Sequence, residues 1–221
     1  MITPRLKMIA EHIYTKSAAD IGTDHAYVPI YLLQNNISDR LAATDIKTGP
    51  LKIAAENIQK YGFENKISLR LGAGLEPIKC GEFETVIIAG MGGEVIKNIL
   101  ENDIEKAHSA KYLVLQPMNS QDLLRKKLSE NGFSIFSEDI TFEGFKVYNL
   151  IVAQSGRGYE YKDEFDLHLP EYLYNNKNFA LLKDKKRREF VKIKTGLESA
   201  AAKDFELIEK YRRFIERVDR L

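Results

Sequence analysis

The feature that most constrains this chain is a change of rhythm at residue 133. Before it, short apolar runs alternate with helical segments; after it, two strand-like runs follow each other across a turn. Residues 17–21, "RLAATD" (40–45), "KISLRLG" (66–72), "ETVIIAG" (84–90) and "KYLVLQP" (111–117) read as strands. A helix follows the first strand through about Leu33. "GPLKIAAENIQKYG" puts Pro50 at a helix start and Gly62 at its stop. "EVIKNILEN" and "SQDLLRKKLSENG" supply two more helices. This alternation dictates parallel strands joined by right-handed crossovers. "FSIFSEDITFEGFKVYNLIVAQS" (133–155) is a strand, a turn around Glu143-Gly144, and a strand, which must pair antiparallel. The expectation is an α/β domain with a seven-stranded mixed sheet ending in a β-hairpin. An amphipathic helix over 3–15 precedes it, with Thr3 as N-cap, Pro4 in the first turn, and Leu6, Ile9, Ala10 and Ile13 on one face.

Past this sheet the composition shifts, dividing the chain into expected domains 1–158 and 159–221. "GRGYEYKDEFDLHLPEYLYNN" reads as an irregular connector. From about Asn178 the chain reads as two antiparallel helices turning near Ser199–Lys203. Phe179, Leu182, Phe190, Ile193 and Leu197 make one apolar stripe. Leu207, Tyr211, Phe214, Val218 and Leu221 make a short heptad seam, so a small coiled-coil-like helical domain is expected. Residues 176–221 carry 14 Lys and Arg against 8 Asp and Glu, whereas the whole chain has a net charge of only +1. A basic tail on an acidic body suggests a polyanion partner, although a solvated basic helix reads the same way. The single cysteine, Cys80, allows no internal disulfide and no Cys-based zinc site, and no metal is expected. The N-terminus "MITPRLKMIA" has no apolar leader and no run is long enough to span a membrane, so a cytoplasmic protein is expected. The sequence does not give the oligomeric state.

In open α/β sheets ligands bind beyond the carboxyl ends of the strands, where strand order reverses. The first strand ends in "DIGTDHAYVP" (20–29), with Asp20, Gly22, Thr23, Asp24, His25 and Tyr27 in or after the turn. Gly22 permits a tight turn and a close backbone approach. The carboxylate of Asp20 disfavours a pyrophosphate and suits a ligand bearing an ammonium group. Asp45, followed by Ile46, ends the second strand, where an acid can accept both hydrogen bonds of a ribose diol. Gly72-Ala73-Gly74 after the third strand can pass beneath an adenine ring. Gly90-Met91-Gly92-Gly93 after the fourth lets backbone line a cavity. Each signal alone is weak. Together they fit an adenosine carrying an amino-acid appendage, which is S-adenosylmethionine. The terminal hairpin also favours the methyltransferase variant of the doubly wound fold over a nicotinamide dehydrogenase, which would want further glycines in the first loop.

"ADIGTDHAYVPIYL", "TDIKTGPLKIAAENIQKYG", "LRLGAGL", "VIIAGMGG" and "LVLQPM" together resemble the TrmK family, bacterial tRNA (adenine-22-N1)-methyltransferases. The likeness runs nearly continuously over residues 1–155, including the "PRL" helix. It implies a Rossmann-like class I methyltransferase domain binding S-adenosylmethionine, a small helical C-terminal domain, and methyl transfer to N1 of an adenine in the tRNA D-arm. By family motif Gly22, Asp24 and His25 fall in the first cofactor loop. Asp45 falls at the ribose, Ala73 near the adenine, and Gly90-Met91-Gly92-Gly93 at the methyl-transfer end. The family's polar residue after "QP" stands here as Met118-Asn119.

Adenine N1 has an in-plane lone pair and is neutral at pH 7, so attack needs placement rather than a strong base. The absence of an Asn/Asp-Pro-Pro-aromatic motif after the fourth strand agrees with a ring-nitrogen target. Asp24 is the candidate to stabilise the cationic product, and Tyr27 the candidate to stack on the flipped base; helix capping and packing are their alternatives. His25 is a candidate for positioning the cofactor. Lys183, Lys185, Lys186, Arg187, Arg188 and Lys192, with Lys194, Arg212 and Arg213, form the candidate tRNA surface. The competing readings are a methyltransferase acting on a protein or small molecule, and a non-catalytic RNA-binding protein on the same scaffold.

Overall fold

The computed structural model describes residues 2–221, which form two compact units, 2–160 and 161–221. The first unit contains helix α1 (Pro4–Glu11), β1 (Ser17–Ile21), α2 (Tyr27–Gln34), β2 (Arg40–Asp45), α3 (Thr48–Lys60) and β3 (Ile67–Leu71). It continues with β4 (Thr85–Met91), α4 (Gly93–Asn102), α5 (Ile104–Ser109), β5 (Tyr112–Pro117), α6 (Gln121–Glu130), β6 (Phe133–Glu143) and β7 (Lys146–Ser155). The sheet has seven strands in the order β3-β2-β1-β4-β5-β7-β6. The first five are parallel, and β7 pairs antiparallel with both β5 and β6, as the alternation and the hairpin predict.

The sheet is buried on both faces, and its strand residues divide accordingly. Ala18, Ile87, Val114, Leu150 and Val152 join α1, α2 and α3 in one apolar core. Ala19, Ile21, Val86, Ile88, Leu113 and Ile151 join α4, α5 and α6 in the other. Two adjacent salt-bridging side chains are also sealed inside. Arg125 of α6 grips Glu138 of β6 through two hydrogen bonds of 2.8 Å, and both side chains are at most 1% exposed.

One boundary and one element differ from expectation. The first helix ends at Glu11, because the backbone N–H of His12 turns back to the carbonyls of Ile9 and Ala10. Ile13 still reaches the core from the loop that follows. The short helix α5 was not anticipated; it has only six residues and no strong stripe of its own.

In the second unit the expected irregular connector contains a helix, α7 (Glu164–His168), and a 3-10 turn over Glu171–Leu173. Asp163 caps α7 by accepting from the Asp166 N–H at 3.0 Å. This segment is core rather than linker: Phe165 and His168 pack their rings against Phe190 and Phe214. Helices α8 (Phe179–Ser199) and α9 (Phe205–Asp219) form the antiparallel pair. Leu182, Phe190, Phe214 and Val218 are buried where α7 covers the seam, whereas Ile193 and Leu221 stay about 40% exposed. Two helices alone bury only a narrow seam, so the stripes close only where a third element caps them. No helix among the described residues is long and apolar enough to cross a membrane.

Candidate active site

Strand order reverses between β1 and β4, and the candidate residues gather at that point. Gly22 ends β1 with φ = 70°, a conformation that would strain any other residue. A side chain there would also begin 2.0 Å from the terminal methyl of Met91, so β4 packs directly onto this turn. The Thr23 N–H donates to the Thr44 carbonyl at 2.7 Å, tying the loop to β2. Its hydroxyl donates to Asp20 at 2.6 Å. Asp20 is only 7% exposed, and burial pushes its carboxyl up from 3.8 to about 6, against the opposing pull of the Thr23 hydroxyl and Arg5. A buried acid in that state gains from a cation placed beside it.

Beyond Thr23 the loop takes an unusual path. His25 (φ 65°) and Ala26 (φ 56°) are both left-handed, and α2 starts at Tyr27 with no side-chain cap. Two consecutive left-handed non-glycine residues cost on the order of 1–2 kcal/mol each. The loop is held by Asn57 of α3, whose amide donates to the His25 carbonyl at 3.0 Å. Asp24 is therefore not the helix cap. Its side chain is 86% exposed, with a carboxylate oxygen 3.0 Å from His25 Nε2. The His25 ring stacks on Tyr27 at 5.3 Å between centroids, and Tyr27 is 47% exposed.

Asp20, Gly22, Asp24, Tyr27, Gly90 and Met91 line one cavity of about 830 Å³. Its remaining wall comes from residues outside the strand-end loops. Tyr31 and Gln34 follow Tyr27 at helical spacing along α2, with Tyr61 also on the wall. Arg5 of α1 enters from the other side and donates from Nη1 to Gln116 Oε1 at 3.1 Å. Its guanidinium also approaches Gly90: a side chain there would begin 3.5 Å from Nη1. The polar stripe at i, i+4 and i+7 in the otherwise apolar "YVPIYLLQ" was the available signal for Tyr31 and Gln34. Gln116, fully buried at a strand end, was the signal for a polar partner such as Arg5.

The other expected residues form an adjoining strip rather than cavity wall. The Gly72 N–H donates to the Asp45 carbonyl at 3.1 Å, and the Asp45 carboxylate accepts from the Lys47 N–H at 2.7 Å. Ile46 and Leu71 present apolar side chains 66% and 58% exposed at the ends of β2 and β3. Gly72 has no room for a side chain, which would begin 2.5 Å from Pro77, and Gly74 is left-handed (φ 49°) with Ile99 close against it. Ala73 receives Glu76 on its N–H at 3.3 Å. Gly92 caps α4 and lies against Asn119, where a side chain would begin 2.9 Å from Asn119 Oδ1. Asn119 thus packs against the glycine turn.

In the second unit the basic cluster is not one free surface. Lys186 is buried and pairs with Glu189 at 2.9 Å. Arg187 pairs with Asp219 at 2.6 Å, Lys194 with Glu198 at 2.9 Å, and Arg212 with Glu209 and Glu216 at 2.7 and 2.9 Å. Burial lowers Lys185 from the ordinary lysine range. Arg188 and Lys192, one turn apart on α8, are exposed and have no ion-pair partner among the described residues.

Residues 2–151 match a family model described as a methyltransferase domain. The tRNA (adenine(22)-N(1))-methyltransferase of Bacillus subtilis is 38% identical over 156 residues, which cover 70% of this chain and 66% of that protein. The matched part is thus just under two thirds of that relative's length. Among solved structures, B. subtilis TrmK, titled an M1A22 tRNA methyltransferase, is 30% identical with a TM-score of 0.83, covering 99% of this chain and 96% of that one. TrmK of M. capricolum, solved with S-adenosyl-homocysteine, is also 30% identical, with a TM-score of 0.85 over 99% of this chain and 98% of that one. With the same fold from end to end and a cleft built where strand order reverses, this chain belongs to the TrmK family of methyltransferases.

Proposed function

We propose that this protein transfers the methyl group of S-adenosylmethionine to N1 of adenine 22 in the D-arm of tRNA. The observation that carries this reading is the cavity joining Asp20 and Gly22 to Gly90 and Met91 beside the Asp45–Gly72 strip. Relatives of matching fold act on that tRNA adenine or were solved with the cofactor product. The residues fit the cofactor: a buried acid with a raised pKa for an ammonium, Asp45 for a ribose diol, and exposed Ile46 and Leu71 for a flat ring. Bound there, the cofactor supplies an already activated sulfonium methyl.

The protein then has to hold the base in line. Tyr27 offers a ring for stacking on an extruded adenine, and Tyr31, Gln34 and Tyr61 continue the wall behind it. Asp24 can accept from the adenine N6–H and balance the positive charge that develops on the ring. Its side chain is open to the cavity and spared from capping, which leaves it available for that role. Removing the adenine from its stack costs a few kcal/mol, and phosphate contacts from Arg188 and Lys192 offset part of it. A tRNA substrate agrees with the cytoplasmic location expected from the sequence.

The test is primer extension on unmodified tRNA incubated with enzyme and cofactor. A stop at adenine 22 is expected, and full-length extension contradicts the reading. Arg188→Glu with Lys192→Glu is expected to raise KM for tRNA at least about tenfold without changing cofactor affinity. Unchanged KM would remove α8 from the RNA interface.

A further inference from the structure

The tip of the β6–β7 hairpin carries a side chain that the fold does not use. Glu143 and Lys146 pair across a two-residue loop, Gly144-Phe145. Only Gly144 has positive φ (55°), the pattern of a type II′ turn with glycine first. The second loop position tolerates almost any residue, and polar ones suit it. It is filled by Phe145, which is 103% exposed and touches no core. Three residues earlier, in β6, Phe142 is 48% exposed.

The placement of this turn is specific. Leu113 and Leu115 of β5 pair with Ala153 and Ile151 of β7, so β7 runs against β5 and its start overhangs the carboxyl ends of the parallel strands. That is the rim on which the cavity opens. The turn is also fastened there: Glu143 Oε1 accepts the Arg5 N–H at 2.7 Å, and Arg5 is cavity wall. The carboxyl of Glu143 is held below its usual range by hydrogen bonds from Thr3 and Arg5, despite partial burial. An exposed aromatic is thus carried on a pinned two-residue turn, next to an exposed Lys146, on the same side of the sheet as the cavity and bonded to a residue that lines it.

We propose that Phe145 stacks on a nucleobase of the substrate RNA at the rim of the cavity, adding to the hold on the strand from which the adenine is drawn. The proposal rests on the RNA substrate argued above. A fully exposed phenyl ring offers a π-face to any base without a hydrogen-bond code, and Lys146 supplies a cation for the neighbouring phosphate.

The experiment compares wild type, Phe145→Ala, Phe145→Leu and Phe145→Tyr in steady-state methylation of unmodified tRNA, with calorimetric titration of S-adenosylmethionine alongside. Stacking on one base corresponds to roughly a 5- to 150-fold effect on alanine substitution. The alanine and leucine variants are expected to lose at least about fivefold in kcat/KM for tRNA, while tyrosine stays within about twofold of wild type. Cofactor affinity should be the same in all four, since Phe145 packs on nothing that folds the site. An alanine variant equal to wild type overturns the proposal, and so does a leucine variant as active as tyrosine. Wild type inactive on tRNA overturns the function reading and this proposal with it; active wild type with an equally active alanine variant overturns this proposal alone.

Discussion

Replacing Asp20 by Asn separates what the site costs from what it does. Asp20 is buried with its carboxyl raised from 3.8 to about 6. About two pKa units at 1.36 kcal/mol each come to about 3 kcal/mol by which the ionised acid disfavours the unliganded fold at neutral pH. The sign follows from proton binding. Between those values the folded protein keeps a proton that the unfolded chain has released. The group's favourable contribution is therefore complete below about 3.8 and is lost as pH rises through about 6. Asn does not titrate and still offers an oxygen to the Thr23 hydroxyl. Urea unfolding at pH 7.5 should find Asp20→Asn more stable than wild type by up to about 3 kcal/mol, with the gap closing toward pH 4. Calorimetric titration at pH 7.5 should find S-adenosylmethionine bound at least about tenfold more weakly, because the ammonium loses its carboxylate. A variant that is less stable at pH 7.5 yet binds cofactor normally would refute the reasoning. Asp20 would then be a structural acceptor for Thr23 and nothing more.

Gly22→Ala places a methyl 2.0 Å from the Met91 methyl at a φ of 70°. It should lower the melting temperature and cofactor affinity together, with Met91→Ala in the same chain restoring part of the stability but not the φ strain. Asp45→Ala should weaken cofactor binding tenfold or more, about 1.5–3 kcal/mol for charged hydrogen bonds; unchanged calorimetric affinity would remove the ribose assignment. Arg125→Ala removes the guanidinium that pairs with the fully buried Glu138 carboxylate. It should cost about 3–5 kcal/mol in denaturant unfolding, while an Arg125→Met, Glu138→Leu pair should recover most of it.

The sheet was legible because its signals are local. Apolar runs of strand length, Pro50 and Gly62 at helix ends, and Glu143-Gly144 between two strands each act within a few residues. The cofactor loops were legible for the same reason, since each follows its strand directly. What was hidden depends on contacts across the sequence. Arg5 reaches Gln116 across 111 residues and the hairpin turn at Glu143 across 138, and nothing near "PRL" announces either. Phe165 reads as connector until Phe190 and Phe214 close over it. The basic run 183–188 reads as a single surface because pattern alone does not say that Lys186 faces inward or that Asp219 returns to neutralise Arg187. The alternative for Asp24, a helix cap, is ruled out by backbone geometry. Left-handed His25 and Ala26 move the helix start to Tyr27, out of its reach.

Nucleoside mass spectrometry of unmodified tRNA, after incubation with this protein and methyl-labelled S-adenosylmethionine, tests the central claim most directly. Label recovered in 1-methyladenosine is the predicted result. Label in N6-methyladenosine or another nucleoside, or none in the tRNA at all, would contradict it.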